Sequence, residues 1–126
     1  MNPKRILIVD DESGFTRLLK LTLEKMGGFV VQEENDGTRA HETARAFLPD
    51  LILLDILMPK IDGGDVASKI KADWNLRNTP IVFLTAIVSK KEALSSDLIG
   101  GFPFLAKPVS LETLIQCINE HLPQTE

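Results

Sequence analysis

Five short apolar runs punctuate the chain, at Ile6–Val9, Phe29–Val31, Leu51–Leu54, Ile81–Leu84 and Phe102–Ala106. Runs this brief and rich in aliphatic and aromatic residues suit strands buried on both faces. Between them the period becomes helical. From about Ser13 to Met26, the residues Phe15, Leu18, Leu19, Leu23 and Met26 share a face, and Gly27 and Gly28 can end the helix. A second helix is predicted near Thr38 to Leu48, where Ala40, Ala44, Phe47 and Leu48 align after the turn pair Asp36 and Gly37. The last, Ser110 to Leu122, opens with Ser110 and Thr113 near an N-cap and aligns Leu111, Leu114, Ile115, Ile118 and Leu122. The third, near Gly64 to Ala72, is shorter. In the fourth, near Lys90 to Ile99, Ser95, Ser96 and Asp97 interrupt the apolar stripe, so it should bury little surface and be among the more mobile elements.

Strands separated by helices imply right-handed crossovers and a parallel sheet covered on both faces. The expected fold is therefore α/β, a doubly wound (βα)5 three-layer sandwich in the flavodoxin-like strand order 2-1-3-4-5. Pro103 agrees with an edge position for the fifth strand, because proline removes a ladder donor. Residues 1–126 read as a single domain, long enough for one real core and free of internal repeats or linkers.

Composition narrows the function. Hydrophobic residues make up 44% and charged residues 25%, a globular balance. The 14 basic and 18 acidic residues give a net charge of -4 without a dense basic patch, which disfavours direct nucleic-acid binding and favours a protein partner. No segment approaches about 20 consecutive apolar residues, so no membrane span is expected. The single cysteine, Cys117, reads as a helix residue beside the core and agrees with a reducing cytoplasm.

The candidate chemistry lies where the apolar runs end. The stretch RILIVDDESG drives a buried strand into Asp10, Asp11 and Glu12. Two like charges about 4 Å apart repel by about 4 kcal/mol at an effective dielectric of 20, so the cluster needs a counter-charge. The third run ends at Asp55, the fourth at Thr85 and the fifth at Lys107. Ligands of open parallel sheets bind beyond the carboxyl ends of the strands, and Asp10, Asp11, Asp55, Thr85 and Lys107 all belong to that end. Singly, each has an ordinary explanation as a helix cap, a turn acid or a surface lysine; jointly they make a hard-oxygen site suited to Mg²⁺. A divalent ion beside a carboxylate suits phosphoryl transfer, with Lys107 and Thr85 available to the incoming oxygens.

With ILIVDDE at the first strand, LILLDILMPKIDGGD at the third, IVFLTA at the fourth and GGFPFLAKP at the fifth, the chain resembles the receiver domain of two-component response regulators over essentially its whole length. The resemblance implies that Asp55 is the phosphoacceptor, charged by a sensor histidine kinase or phosphotransfer protein. It implies Asp11 and Asp55 as direct Mg²⁺ ligands, Asp10 acting through water, and the Leu57 carbonyl completing the protein's share. Thr85 and Lys107 then bind the phosphoryl oxygens, Pro108 follows a cis bond, and Phe104 is the aromatic switch whose rotamer follows Thr85. The output would pass through the surface of the fourth helix, fifth strand and last helix, where Val88, Leu98, Ile99 and Phe102 read either as core or as an apolar face for a target or a second copy.

Some positions depart from the pattern. The switch is often tyrosine, and Phe104 lacks that hydroxyl. Leu57 and Ile87 are apolar two residues beyond Asp55 and Thr85, which should impede an in-line water and prolong the life of a phosphoryl group. An Mg²⁺-dependent aspartyl phosphatase would need an acid two residues after its nucleophile, but Leu57 follows Asp55 at that spacing. A flavin or nucleotide carrier would need hydroxyls and amides where DDESG offers carboxylates. The expected module is a switch that catalyses only its own modification. Asp62 to Asp65 read as a turn and helix start, Trp74 as a packed loop anchor, and His41 and His121 as solvated surface.

Overall fold

The computed structural model describes residues 2–86, 98–99 and 101–123, with Leu98 and Ile99 described as backbone. Its parallel strands are β1 (Arg5–Val9), β2 (Val30–Glu34), β3 (Leu51–Leu54), β4 (Ile81–Thr85) and β6 (Phe102–Ala106), lying in the order β2-β1-β3-β4-β6. This is the expected 2-1-3-4-5 arrangement of five parallel strands. A two-residue strand, β5 (Leu98–Ile99), adds an antiparallel edge beyond β6 through Leu98↔Pro103 and Ile99↔Phe102. Ile99, expected at the end of a helix, is thus in a strand; Gly101 at φ 87 helps reverse the chain where a side chain would be strained. The rest of the predicted fourth helix, residues 90–97, lies outside the described residues, as do Ile87 and Val88.

The helices are α1 (Ser13–Gly27), α2 (Ala40–Phe47) behind a 3-10 turn at Gly37–Arg39, α3 (Gly63–Lys71) and α4 (Leu111–His121). Strand alternation divides the core. Ile6, Ile8, Leu53 and Val82 face Leu19 and Leu23 of α1 and Leu114 and Ile118 of α4. Leu7, Val9, Ile52 and Leu54 face Ala40 and Ala44 of α2 and Val66, Ala67 and Ile70 of α3. Each fully buried Leu or Ile contributes roughly 1.5–3 kcal/mol, so these two layers hold the sheet ends rigidly. Caps follow the residue chemistry: Ser110 accepts from the Thr113 N–H, Asp62 accepts from the Gly64 N–H, and Gly28 closes α1 at φ 70.

Several expectations need correction. Leu18 is 65% exposed because it lies about 100° around the helix from buried Leu19. Met26, also 65% exposed, falls in the last turn beyond Leu23, the final buried residue of α1. Leu48 is a left-handed C-cap at φ 53, which takes its side chain off the apolar face of α2 and leaves it exposed. The second strand begins one residue after Phe29 and continues into Gln32, Glu33 and Glu34, because its outer edge can carry polar residues. Trp74 is 82% exposed with the Arg77 guanidinium 4.7 Å above its ring, while Leu76 anchors that loop. His41 is half-buried and meets the Asp73 carboxylate at 2.8 Å, tying α2 to the segment after α3. His121 is also half-buried, its Nδ1 2.8 Å from the Cys117 carbonyl oxygen. Cys117 itself is buried beside the core, and burial together with Glu120 pushes its thiol pKa up.

Candidate active site at the carboxyl end of the sheet

The strand ladder sets the site's backbone. The Asp55 N–H donates to the Val9 carbonyl at 2.9 Å, the Lys107 N–H to the Thr85 carbonyl at 2.9 Å, and the Asp10 N–H to the Glu34 carbonyl at 3.1 Å. Each residue immediately after an apolar run is therefore still held by a neighbouring strand or its extension. Position is inherited from register, which two-sided burial of the strands specifies strongly.

Asp10, Asp11, Asp55, Leu57, Thr85 and Lys107 lie together at the carboxyl end of the sheet. A cavity of about 230 Å³ is lined by Asp11, Glu12, Asp55, Leu57, Thr85, Ala86 and Lys107. One carboxylate oxygen from each of Asp10, Asp11 and Asp55 lies within 4.8 Å of the others. Asp10, Asp55 and Thr85 are buried, whereas Asp11 is exposed. The Lys107 ammonium donates to Asp10 Oδ2 at 2.6 Å and stands 3.5 Å from Glu12 Oε1 and 3.9 Å from Asp55 Oδ2. Part of the counter-charge demanded by the acidic run therefore comes from the residue that directly follows strand β6.

Neutralisation is incomplete. Burial and the neighbouring Asp10 charge push the Asp55 pKa up to about 6 against the pull of Lys107 and a hydrogen bond from the Leu57 backbone. Burial alone would lower the Lys107 pKa, but its hydrogen bond to Asp10 and the charges of Asp10, Asp55 and Glu12 raise it. Three carboxylates with one shared ammonium form a donor set with unspent negative charge, which fits a hard divalent cation ligated by oxygen. Leu57 is 52% exposed at the rim.

Pro108 follows a cis peptide bond from Lys107. Phe104 lies outside the acidic cavity: β4–β6 register pairs it with Phe83, two residues before the Thr85↔Ala106 pair. It packs partly on the core and lines a separate cavity of about 490 Å³ against α4. Phe102 also packs on Phe83, with ring centroids 5.5 Å apart at 80°.

Three contributors were not assigned to the site from the sequence. Glu12 lines the cavity, and its signal was its place in the acidic run. Phe15, expected only as core, also places its ring centroid 4.4 Å from Lys107 Nζ. A Cβ at Gly63 would come within 2.3 Å of the Asp55 carbonyl oxygen, and the Gly63 N–H donates to the Ile56 carbonyl at 2.8 Å. The Gly63–Gly64 doublet was the visible clue to this close approach of α3 to the end of β3.

The same architecture recurs in known proteins. The chain is 32% identical over 122 residues to the DNA-binding dual master transcriptional regulator RpaA of Synechocystis, covering 97% of this chain and 50% of that relative. It is 32% identical to the polar-differentiation response regulator DivK of Brucella anthropi, covering 95% and 97% of the two chains. The chain spans about half the length of several curated relatives it matches but nearly all of DivK. Among solved structures, the chemotaxis protein CheY4 of Vibrio cholerae superposes with TM-score 0.84 at 26% identity, covering 96% of this chain and 100% of that one. The BeF3-activated receiver domain of Klebsiella pneumoniae RstA gives TM-score 0.81 at 30% identity, covering 95% and 99%. Residues 6–119 match the response regulator receiver domain, and the chain belongs to that family of two-component signalling switches.

Proposed function

We propose that Asp55 is the phosphoacceptor of a single receiver domain spanning residues 1–126, and that the phosphoryl group comes from the phosphohistidine of a sensor histidine kinase or phosphotransfer protein. The observation that carries this reading is the convergence of Asp10, Asp11, Asp55 and Lys107 around one small cavity at the strand ends. An Asp55 carboxylate oxygen attacks phosphorus, the phosphorus–nitrogen bond breaks, and the imidazole leaves with its electron pair, giving an aspartyl phosphate. Asp10, Asp11, Asp55 and the Leu57 carbonyl would hold Mg²⁺, which supplies charge neutralisation for the transferring group. Lys107 and Thr85 provide a cation and a hydroxyl for the phosphoryl oxygens.

The module has no turnover substrate and acts in the cytoplasm. Modification adds about -1.5 to -2 charge at Asp55, and the pull on Thr85 is relayed to Phe104 on β6 and to Pro108 just beyond it. The output surface comprises the stretch of residues 90–99, the sheet edge at β6 and helix α4, offered to a downstream protein or a second copy. Intact mass after incubation with a small phosphodonor and Mg²⁺ tests this. One added phosphoryl group is expected, absent with EDTA and in Asp55→Asn, and the half-exposed Leu57 at the cavity rim should make its loss slow. Labelling that survives Asp55→Asn would overturn the assignment.

A further inference from the structure

Behind the acidic cavity, on the side of the outer strand, lies a polar network that the phosphoryl-transfer chemistry does not use. Thr16, on α1, is 0% exposed yet polar. Its Oγ1 donates to Glu33 Oε1 at 2.7 Å, with the Ser13 carbonyl a longer second acceptor at 3.2 Å, and itself accepts from Asn35 Nδ2 at 2.9 Å. Asn35 Nδ2 also donates to the Asp10 carbonyl oxygen at 2.7 Å. That carbonyl can only accept, so the amide orientation of Asn35 is set by chemistry: nitrogen toward Asp10, with its second proton on Thr16. The chain of bonds runs from β2 through α1 to the backbone of the acidic turn.

The bond to Asp10 falls where it has leverage. The Asp10 side chain already receives the Glu12 N–H on Oδ1 at 3.0 Å and Lys107 on Oδ2 at 2.6 Å. With its N–H on the Glu34 carbonyl as well, Asp10 is held on both sides of its backbone and at both carboxylate oxygens. Asp11, the next residue, is exposed, and its carboxylate depends on the preceding peptide for its direction. We infer that Asn35 and Thr16 are positioning residues for the acidic turn: through the Asp10 carbonyl they hold Asp10 and Asp11 in the posture that receives a divalent cation. The inference rests on the metal-binding part of the proposed function. Partners of ligand-bearing groups commonly affect metal affinity by about 10–100-fold, and a shared backbone contact belongs at the lower end of that range.

The test is Mg²⁺ titration by calorimetry of the unmodified protein and of Asn35→Ala, Thr16→Val and Thr16→Ser, beside amide hydrogen exchange of Asp10 and Glu12, both hydrogen-bonded, in EDTA. Asn35→Ala and Thr16→Val should weaken Mg²⁺ about tenfold and speed exchange at both amides. Thr16→Ser, which keeps the hydroxyl, should stay near the starting affinity. Affinities of Asn35→Ala and Thr16→Val within about twofold of the starting protein would overturn the inference, as would equal loss in Thr16→Ser and Thr16→Val. If the unmodified protein binds no Mg²⁺, the metal reading fails instead, and the exchange rates decide the positioning: acceleration in Asn35→Ala and Thr16→Val supports it, unchanged rates refute it.

Discussion

Asp55 carries an electrostatic cost in the ion-free protein. Its pKa, raised from 3.8 to about 6, means the folded state holds the proton more tightly than the unfolded chain, so ionisation works against folding. The sign follows directly: Asp55 costs nothing when protonated in both states, and the cost grows as pH rises from 3.8 through about 6. A shift of that size corresponds to about 3 kcal/mol. Asp55→Asn should therefore raise the unfolding midpoint in EDTA at about pH 7.5 and gain progressively less toward about pH 5. Denaturant melts across that range check it, and a pH-independent gain would point to packing instead. The acids were legible because they break apolar runs abruptly. The salt bridge from Lys107 to Asp10, spanning 97 residues of sequence, depended on strand order.

At the scale of elements, α2 ends at a cost. Leu48 occupies the left-handed region at φ 53 while exposing a large apolar side chain, although its N–H still closes the helix onto the Ala44 carbonyl at 2.8 Å. A non-glycine residue there bears roughly 1–2 kcal/mol of backbone strain. Leu48→Gly should keep the cap, remove that strain and stabilise the domain by about 1 kcal/mol after the added freedom of the unfolded glycine is deducted. Thermal melting measures this, and a lowered midpoint would mean that Leu48 contributes packing greater than its strain. The helix periods of α1 and α2 were readable, but the width of each buried stripe was not. Leu18 and Leu48 satisfy the apolar pattern, yet only the sheet's position decides which side of the helix is covered.

Across the whole molecule, the acidic site joins three strands. Asp10 follows β1, Asp55 follows β3 and Lys107 follows β6, so an ion bound to the carboxylates should stabilise the native arrangement as a unit. Mg²⁺ at about 100 times its dissociation constant should contribute about 2.7 kcal/mol by mass action, a rise of roughly 10 °C for a domain of this size. Melting with and without Mg²⁺ should show that rise, and Asp11→Asn should abolish most of it. An unchanged midpoint would argue against a native divalent-cation site. No helix among the described residues is long and apolar enough to cross a membrane.

By itself, the sequence determined the alternation of strands and helices, hence the parallel sheet, because burial on both faces demands continuous apolar runs while helices require a 3.6-residue period. It also determined that the acids, Thr85 and Lys107 come at strand ends, because each directly follows such a run. Tertiary structure alone decided that Lys107 rests on Asp10, that Gly63 meets the Asp55 backbone, and that Asn35 reaches the Asp10 carbonyl. Those relations depend on how close separate crossovers bring atoms remote in sequence, a distance no local period encodes. The same limit explains Trp74, whose apolar surface suggested packing but whose loop turned Leu76 inward instead.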